Sequence, residues 1–160
     1  EEYWDDGKSY YKGSFKGGQR EGEGVLHLHD EGFTYKGQFR DNKLDGQGIY
    51  KWADGRVYEG EWRDDQMHGF GTFKFPDGRS YQGDYRFGKK EGYGTFKWTD
   101  GRIYKGYWRK GLQNGEGVFY EGGKQSKEMW IDGVKQVTHL PSQSEISGVA
   151  SGVVTTYAKL

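Results

Sequence analysis

The residues of this chain that could bind a metal ion are few and scattered. His27 and His29 lie two residues apart, so on a strand both imidazoles would face the same side and could form half of a metal site. The sequence places no third ligand beside them. His68 precedes Gly69 in a predicted turn, which favours a structural role. We therefore expect no metal site and no cofactor.

Glycine pairs and carboxylates, the other candidates for chemistry, do not form catalytic motifs. Gly-x-Gly pairs recur, but no helix is predicted after them, as a dinucleotide-binding loop requires. The sequence contains no Gly-x-Ser-x-Gly, phosphate-binding loop or His-Glu-x-x-His. Its acidic residues are numerous but form no isolated pair. We expect a protein without enzymatic activity.

The composition indicates an aromatic-faced sheet and excludes general attraction to polyanions. Only 32% of the 160 residues are hydrophobic and 18% are aromatic, too few aliphatic residues for an ordinary core and too many rings for disorder. The 24 basic and 24 acidic residues cancel, so we expect no nucleic-acid partner. The chain has no cysteine, which suits the cytoplasm.

The elements that position these residues repeat along the chain. Tyrosines recur at intervals of 24, 23, 23 and 23 residues, and each opens a unit of Tyr-x-Gly-x-aromatic followed by Gly-x-Gly. The leading residues are Tyr11, Tyr35, Tyr58, Tyr81 and Tyr104. A fixed period of this length is typical of stacked units that fold only against their neighbours.

Each unit is predicted to be a β-hairpin. In the third unit, alternation places Tyr58, Gly60 and Trp62 on one face of a strand, and the segment after Gly69 alternates in the same way. Residues that tolerate positive φ stand seven positions after each leading tyrosine, at Gly18, Asn42, Asp65, Gly88 and Gly111. Asp-Gly pairs, such as Asp54-Gly55, predict the turns between units.

This pattern resembles the MORN (membrane occupation and recognition nexus) repeat over residues 3–133. Trp4-Asp5-Asp6-Gly7 is similar to the end of a preceding repeat, and Ser126-x-Glu128-x-Trp130-x-x-Gly133 is similar to a degraded sixth. The resemblance implies an all-β fold, an elongated, twisted, single-layer antiparallel sheet of stacked hairpins. It also implies scaffold work in cytoskeletal, ciliary or membrane-associated assemblies, with phospholipid binding in some members.

The aromatic face of this sheet is the first candidate binding surface. We infer that the strand glycines leave space into which neighbouring rings lie flat, and that part of the remaining ring surface stays exposed. The predicted groove residues are Tyr35, Phe39, Tyr58, Trp62, Tyr81, Tyr85, Tyr104, Trp108, Trp52, Phe75 and Trp98. The expected ligand is an amphipathic helix or an extended peptide of a partner protein.

Cationic rows on the opposite face are the second candidate. Arg40, Arg63, Arg86 and Arg109, with Lys16 before them, each follow a strand aromatic, and Lys51, Lys74 and Lys97 share a second position. Stacked about 9–10 Å apart, they could contact phosphoinositides, other anionic lipids or an acidic peptide. The alternative is a solvated face with Glu59, Glu61 and Asp84 as cross-strand partners.

The last residues differ in composition from the repeats. We divide the chain into a repeat array, residues 1–133, and a tail, residues 134–160, which has no Trp or Phe. A Ser-x-x-Glu sequence and apolar residues at helical spacing predict a helix from about residue 143, with disorder or a strand as alternatives. Such a helix needs a partner, which could be the sheet, a second copy in a homodimer, or a target.

The leading functional hypothesis is a protein-interaction scaffold that binds a peptide in the aromatic groove. An anionic-membrane-binding module that uses the cationic rows is the alternative from a different class. A regulatory module of a larger enzyme is the third. We expect a cytoplasmic location, associated with the cytoskeleton or a membrane.

Overall fold

A computed structural model describes residues 1–4 and 6–137 as one open antiparallel sheet. Its thirteen strands pair in sequence order, each with the strands before and after it. They are β1 Glu2–Tyr3, β2 Tyr10–Lys16, β3 Gln19–Leu28, β4 Phe33–Arg40, β5 Lys43–Lys51, β6 Val57–Arg63, β7 Gln66–Lys74, β8 Ser80–Arg86, β9 Lys89–Lys97, β10 Ile103–Arg109, β11 Leu112–Glu121, β12 Lys124–Ile131 and β13 Val134–Gln136. The predicted fold class, stacked hairpins in a single sheet, is confirmed.

Two-residue turns close the hairpins, and both turn residues have positive φ. Asp41 and Asn42, between β4 and β5, have φ of 49° and 67°. The five predicted turn positions all adopt positive φ, so this prediction is confirmed. Such paired left-handed residues match the right-handed twist of the flanking strands.

A β-bulge recurs in each hairpin and shapes the aromatic face. In β6 and β7, Gly60 pairs with Gly71, but Trp62 pairs with Met67, so the second strand carries two extra residues between them. The bulge turns the Glu61 carbonyl inward, where it accepts a hydrogen bond of 3.0 Å from the Tyr58 hydroxyl. The same register shift follows the glycine of β2, β4, β8 and β10.

The turns between units are built by Asp-Gly-Arg sequences. The Trp52 amide donates to the Arg56 carbonyl at 3.0 Å, and the Gly55 amide to the Trp52 carbonyl at 3.1 Å. Asp54 accepts from the Arg56 amide and, at 2.7 Å, from the Arg56 Nε. The same fork forms at Asp77 with Arg79 and at Asp100 with Arg102.

Successive units are also joined through their hairpin turns. The Gly88 amide donates to the carbonyl of Met67, one repeat earlier, at 2.9 Å, and the Gly111 amide does the same to Lys90. Equivalent bonds start from Asn42, Asp65 and Gly133. These bonds hold the turns of neighbouring hairpins against each other on the side of the sheet where the hairpins close.

The core consists of tyrosine rings that lie on glycine pairs. All five leading tyrosines are fully buried. A Cβ atom added at Gly71 would lie 2.5 Å from Cε2 of Tyr58, and one added at Gly60 would lie 2.5 Å from the Gly71 Cα. The predicted space for a ring is therefore present, and the ring that fills it comes from the same repeat.

Both ends of the sheet contain incomplete units. Near the N-terminus the Gly7 amide donates to the Trp4 carbonyl at 2.9 Å, as at the ends of later repeats. In β12 Glu128 replaces the pairing glycine opposite Gly117, and its buried carboxylate binds Lys135 at 2.5 Å. Strand β13 continues the sheet beyond residue 133.

The predicted C-terminal helix lies outside the described residues. Within residues 1–4 and 6–137, no helix is long and apolar enough to cross a membrane.

Candidate functional site: the aromatic face and its cations

An inner row of rings runs through the repeats as an edge-to-face chain. Tyr58 lies between Trp62, at 5.2 Å and 86°, and Tyr85 of the next repeat, at 5.2 Å and 82°. Equivalent pairs continue from Tyr11 to Trp130, which contacts Tyr104 at 6.0 Å. This geometry is the favoured one for aromatic pairs, each of which contributes about 0.5–1.5 kcal/mol beyond area burial.

The inner row is too deeply buried to contact a partner directly. The five leading tyrosines have no exposed surface, and burial raises the pKa of Tyr58 and Tyr81 and brings that of Tyr104 to about 12. The predicted groove residues that are buried in this way are Tyr35, Phe39, Tyr58, Trp62, Tyr81, Tyr85, Tyr104 and Trp108. In this structure they hold the repeats together and support the contact surface.

An outer row of rings lies beside the inner row and remains accessible. Trp52, Phe75 and Trp98, the other predicted groove residues, are half-buried and occupy the same position in successive repeats. Phe73 and Phe96 connect them through ring contacts of 4.6–6.1 Å. Sequence reasoning missed three half-buried members of the row, Phe33, Tyr50 and Phe119.

Three arginines that sequence reasoning also missed stack on the outer row. The guanidinium carbons of Arg56, Arg79 and Arg102 lie 5.2, 4.9 and 5.4 Å from the ring centres of Trp52, Phe75 and Trp98. We call these arginines the rim arginines. The signal was present in the sequence as Asp-Gly-Arg, which occurs three times at the repeat period. We read those segments only as turns.

Lys90 brings a further positive charge onto the aromatic face. Its Nζ lies 4.9, 4.8 and 4.5 Å from the ring centres of Tyr81, Phe96 and Trp108. Burial, together with the charge of Arg79, lowers the pKa of Lys90 to about 8. No carboxylate of the described residues lies within 4 Å of its amine.

The cationic rows of the opposite face are solvent-exposed. Lys16, Arg40, Arg63, Arg86, Arg109, Lys51, Lys74 and Lys97 are all exposed. Arg40 pairs with Asp45 at 3.5 Å and Arg109 with Asp132 at 2.9 Å. Among the described residues, Glu59, Glu61 and Asp84 form no ion pair with these rows, so their predicted partnership is wrong there.

The described histidines, His27, His29 and His68, contact neighbouring side chains, and the buried Nδ1 of His68 has no hydrogen-bond partner among the described residues. Nδ1 of His27 lies 2.9 Å from Thr34 Oγ1, and its ring centre is 6.3 Å from that of His29. His68 lies in β7 rather than in a turn, which corrects our prediction, because the bulge extends the strand through it. In the part of the chain that the structure describes, no three His, Cys, Asp or Glu residues are placed to hold a metal ion.

The repeated hairpin with its buried tyrosine and glycine pair decides the family. The MORN repeat model matches residues 11–32, 35–55, 58–78, 81–101 and 104–124, about two-thirds of the chain. The chain belongs to the MORN-repeat family. No curated protein matches it significantly. The matched segments of this MORN array begin at the five leading tyrosines, as the sequence pattern predicts.

Proposed function

We propose that this MORN array is a non-enzymatic interaction module that binds a peptide segment of a partner protein along its outer aromatic row. The observation that carries the proposal is that Trp52, Phe75 and Trp98 keep part of their surface exposed while a buried row of rings fixes their positions. Side chains already held in place lose little entropy on binding.

The residue types of this face support the proposal. Trp, Tyr and Arg are the residues that most often dominate protein–protein binding energy, and here arginines stack directly on Trp52 and Trp98. The described residues form one sheet without a second layer, and a continuous, partly apolar strip on such a sheet is typical of a docking surface. We also propose a cytoplasmic location, within a cytoskeletal, ciliary or membrane-associated assembly.

A comparison of the two faces of the sheet tests this function. We would capture partners with the full chain, purify them and measure their affinity for the wild type and for Trp52→Ala/Trp98→Ala by calorimetry. We expect at least a tenfold loss of affinity, because both substitutions remove contact surface. Trp62 and Trp108 are unsuitable, since both are buried and donate to backbone carbonyls.

The opposite face offers a matched control. Phe70 and Tyr93 are exposed aromatic residues there, at 52% and 51%, and Phe70→Ala/Tyr93→Ala should leave the affinity unchanged. Circular dichroism would verify that both double variants fold. Equal affinity of the wild type and the Trp52/Trp98 variant, or loss only in the Phe70/Tyr93 variant, would contradict binding at the outer row.

A second function, binding to anionic membranes, is favoured by the lysine row. Lys51, Lys74 and Lys97 are exposed and have no carboxylate within 4 Å among the described residues. Three lysines at an anionic surface contribute about 3 kcal/mol in total. Sedimentation with phosphatidylserine or phosphoinositide liposomes should then depend on salt and fail for Lys51→Gln/Lys74→Gln/Lys97→Gln. Binding that persists in this variant would exclude the lysine row.

A further inference from the structure

Lys90 has no carboxylate within 4 Å of its ammonium group among the described residues. Its ammonium group lies against the rings of Tyr81, Phe96 and Trp108, and burial together with the like charge of Arg79 lowers its pKa. Ring contacts offset part of the cost of removing such a charge from water. A carboxylate that comes within about 4–6 Å of such a cation favours its charged form.

The rim arginines are held with their outer nitrogens available. Asp54, Asp77 and Asp100 each accept from the Nε of one arginine at 2.7 or 2.8 Å. In the described part of the chain the η nitrogens of these arginines make no hydrogen bond. A guanidinium fork fixed in this way is oriented to donate two parallel bonds to a second carboxylate.

From these contacts we infer that the partner segment is an acidic amphipathic α-helix with carboxylates seven residues apart. One carboxylate binds Lys90 and the neighbouring Arg79. The carboxylates on either side of it bind Arg56 and Arg102. The inference rests on the proposed function, since it specifies what binds the outer aromatic row. The apolar stripe of the same helix would cover Trp52, Phe75 and Trp98.

The distance between equivalent residues of neighbouring repeats matches the rise of two turns of an α-helix that lies along the array. Equivalent residues of neighbouring repeats are two strands apart, about 9.6 Å. Seven residues of an α-helix rise about 10.5 Å. The difference accumulates to about 2 Å between Arg56 and Arg102, which a flexible Glu side chain can absorb. Neighbouring positions of each heptad supply the apolar stripe.

The position of Lys90 sets the register of the helix. The equivalent residues in the other repeats are Arg20, Leu44, Met67 and Gln113. The two repeats before Lys90 therefore present Leu44 and Met67 to the same surface, and both pack with the core. A helix in the correct register places an acidic residue opposite Lys90 and apolar residues opposite Leu44 and Met67.

The chain's own tail does not have this chemistry. Residues 138–160 contain a single acidic residue, Glu145, and a single lysine, Lys159. They cannot supply carboxylates at seven-residue intervals, so these residues do not form the inferred helix.

Two synthetic peptides test the inference with the full-length chain. One is an amphipathic 21-residue helix with an apolar stripe and Glu at three positions seven residues apart, and the other carries Gln at those positions. Binding would be followed by tryptophan fluorescence and calorimetry at two salt concentrations. We expect the Glu peptide to bind at least tenfold more tightly than the Gln peptide, with the difference shrinking at high salt.

Substitution of Lys90 identifies the contact. Lys90→Met should weaken binding of the Glu peptide at least fivefold and leave the Gln peptide unchanged, and Met67 shows that the fold accepts methionine at this position. Arg56→Gln/Arg79→Gln/Arg102→Gln should have a larger effect. The matched control, Arg40→Gln/Arg63→Gln/Arg86→Gln on the opposite face, should bind both peptides like the wild type.

The outcomes separate the inference from the proposed function. Equal binding of both peptides, lost in both cases in Trp52→Ala/Trp98→Ala, would overturn the acidic helix and retain a peptide-binding aromatic row. A Glu peptide whose affinity is unaffected by Lys90→Met would exclude Lys90 as the contact. Binding of neither peptide would overturn the acidic helix, and the captured partner would then decide the proposed function by itself.

Discussion

Four of the five leading tyrosines donate a hydrogen bond to a backbone carbonyl that their own strand turns inward. The bulge after Gly60 exposes the Glu61 carbonyl to the core, and the Tyr58 hydroxyl donates to it at 3.0 Å. The hydroxyls of Tyr11, Tyr35 and Tyr81 do the same. In the described structure Tyr104 differs, because its buried hydroxyl has no partner.

This difference predicts unequal effects for the same substitution. Tyr58→Phe should lower the free energy of unfolding by about 1 kcal/mol, since it leaves a buried carbonyl unsatisfied. Tyr104→Phe should be neutral or stabilising, because it removes a hydroxyl without a partner. Urea denaturation followed by circular dichroism measures both effects. Because each variant keeps the aromatic ring, any change in stability reports on the hydroxyl alone. Equal losses would contradict this account of the hydroxyl.

Lys90 makes stability depend on pH. Its pKa is about 8 in the folded chain and 10.5 in the unfolded chain, so between these values the unfolded state binds more protons and stability rises with pH. A pKa unit corresponds to about 1.4 kcal/mol, but the amine keeps some solvent contact, so we expect a gain of about 1–2 kcal/mol.

Lys90→Met should abolish this gain and be more stable than the wild type at pH 7. Urea midpoints of both proteins between pH 7 and pH 10.5 provide the test. The raised pKa of buried tyrosines such as Tyr58 acts in the opposite direction, removing stability as pH rises above about 10, but it affects both proteins equally. A constant difference between the two proteins across this range would contradict the assignment.

At the scale of the element, two hairpin turns contain residues that are poorly suited to the backbone conformation they adopt. The first turn residue has positive φ in every unit, and glycine or aspartate occupies it in the first three. Phe87 and Lys110 take the same conformation in the last two, with φ of 48° and 50°. A side chain without a local hydrogen-bonding group is strained there by about 1–2 kcal/mol.

Lys110→Asn should therefore raise the free energy of unfolding by about 0.5–1 kcal/mol, because Asn tolerates the left-handed region. The amide of residue 110, which donates to Glu91 at 2.9 Å, is unaffected. Lys89→Asn, on an exposed strand position next to a turn, is the control and should change stability by less than 0.5 kcal/mol. Urea midpoints without a gain for Lys110→Asn would show that this turn is unstrained.

At the scale of the whole molecule, the array is a one-dimensional chain of neighbours. Among the described residues each strand pairs only with the strands before and after it in sequence, and the inner aromatic row links one repeat to the next. Such an architecture unfolds in local segments, since the loss of one unit removes support only from those that adjoin it.

A glycine substitution near the end of the array and one in its middle should therefore destabilise different sets of strands. An added Cβ at Gly24 or Gly71 would lie 2.5 Å from a buried tyrosine carbon, an overlap that costs about 1–3 kcal/mol. Hydrogen exchange should show lost protection in β2 to β4 for Gly24→Ala and in β5 to β8 for Gly71→Ala. Uniform loss along the chain in both variants would mean that the array unfolds as one unit.

The sequence by itself determined the repeat, the hairpins, the turn positions and the side of the sheet on which each residue lies. The period, the strand alternation and residues such as Asn42 and Gly88 are local signals, and five copies reinforce one another. The burial of Tyr58 on the glycine pair of Gly60 and Gly71 follows from the same pattern. The two glycines have no side chains, and the space they leave accommodates the neighbouring tyrosine ring.

Only the tertiary structure decided which rings are covered and which charges meet them. Alternation assigns Trp62 and Trp52 to the same face, but the bulge and the neighbouring repeat bury the first and leave the second half-exposed. The stacking of Arg56 on Trp52 and the three rings around Lys90 depend on residues in adjacent strands and repeats. Burial and charge environment are properties of neighbours in space, which a periodic sequence pattern does not specify.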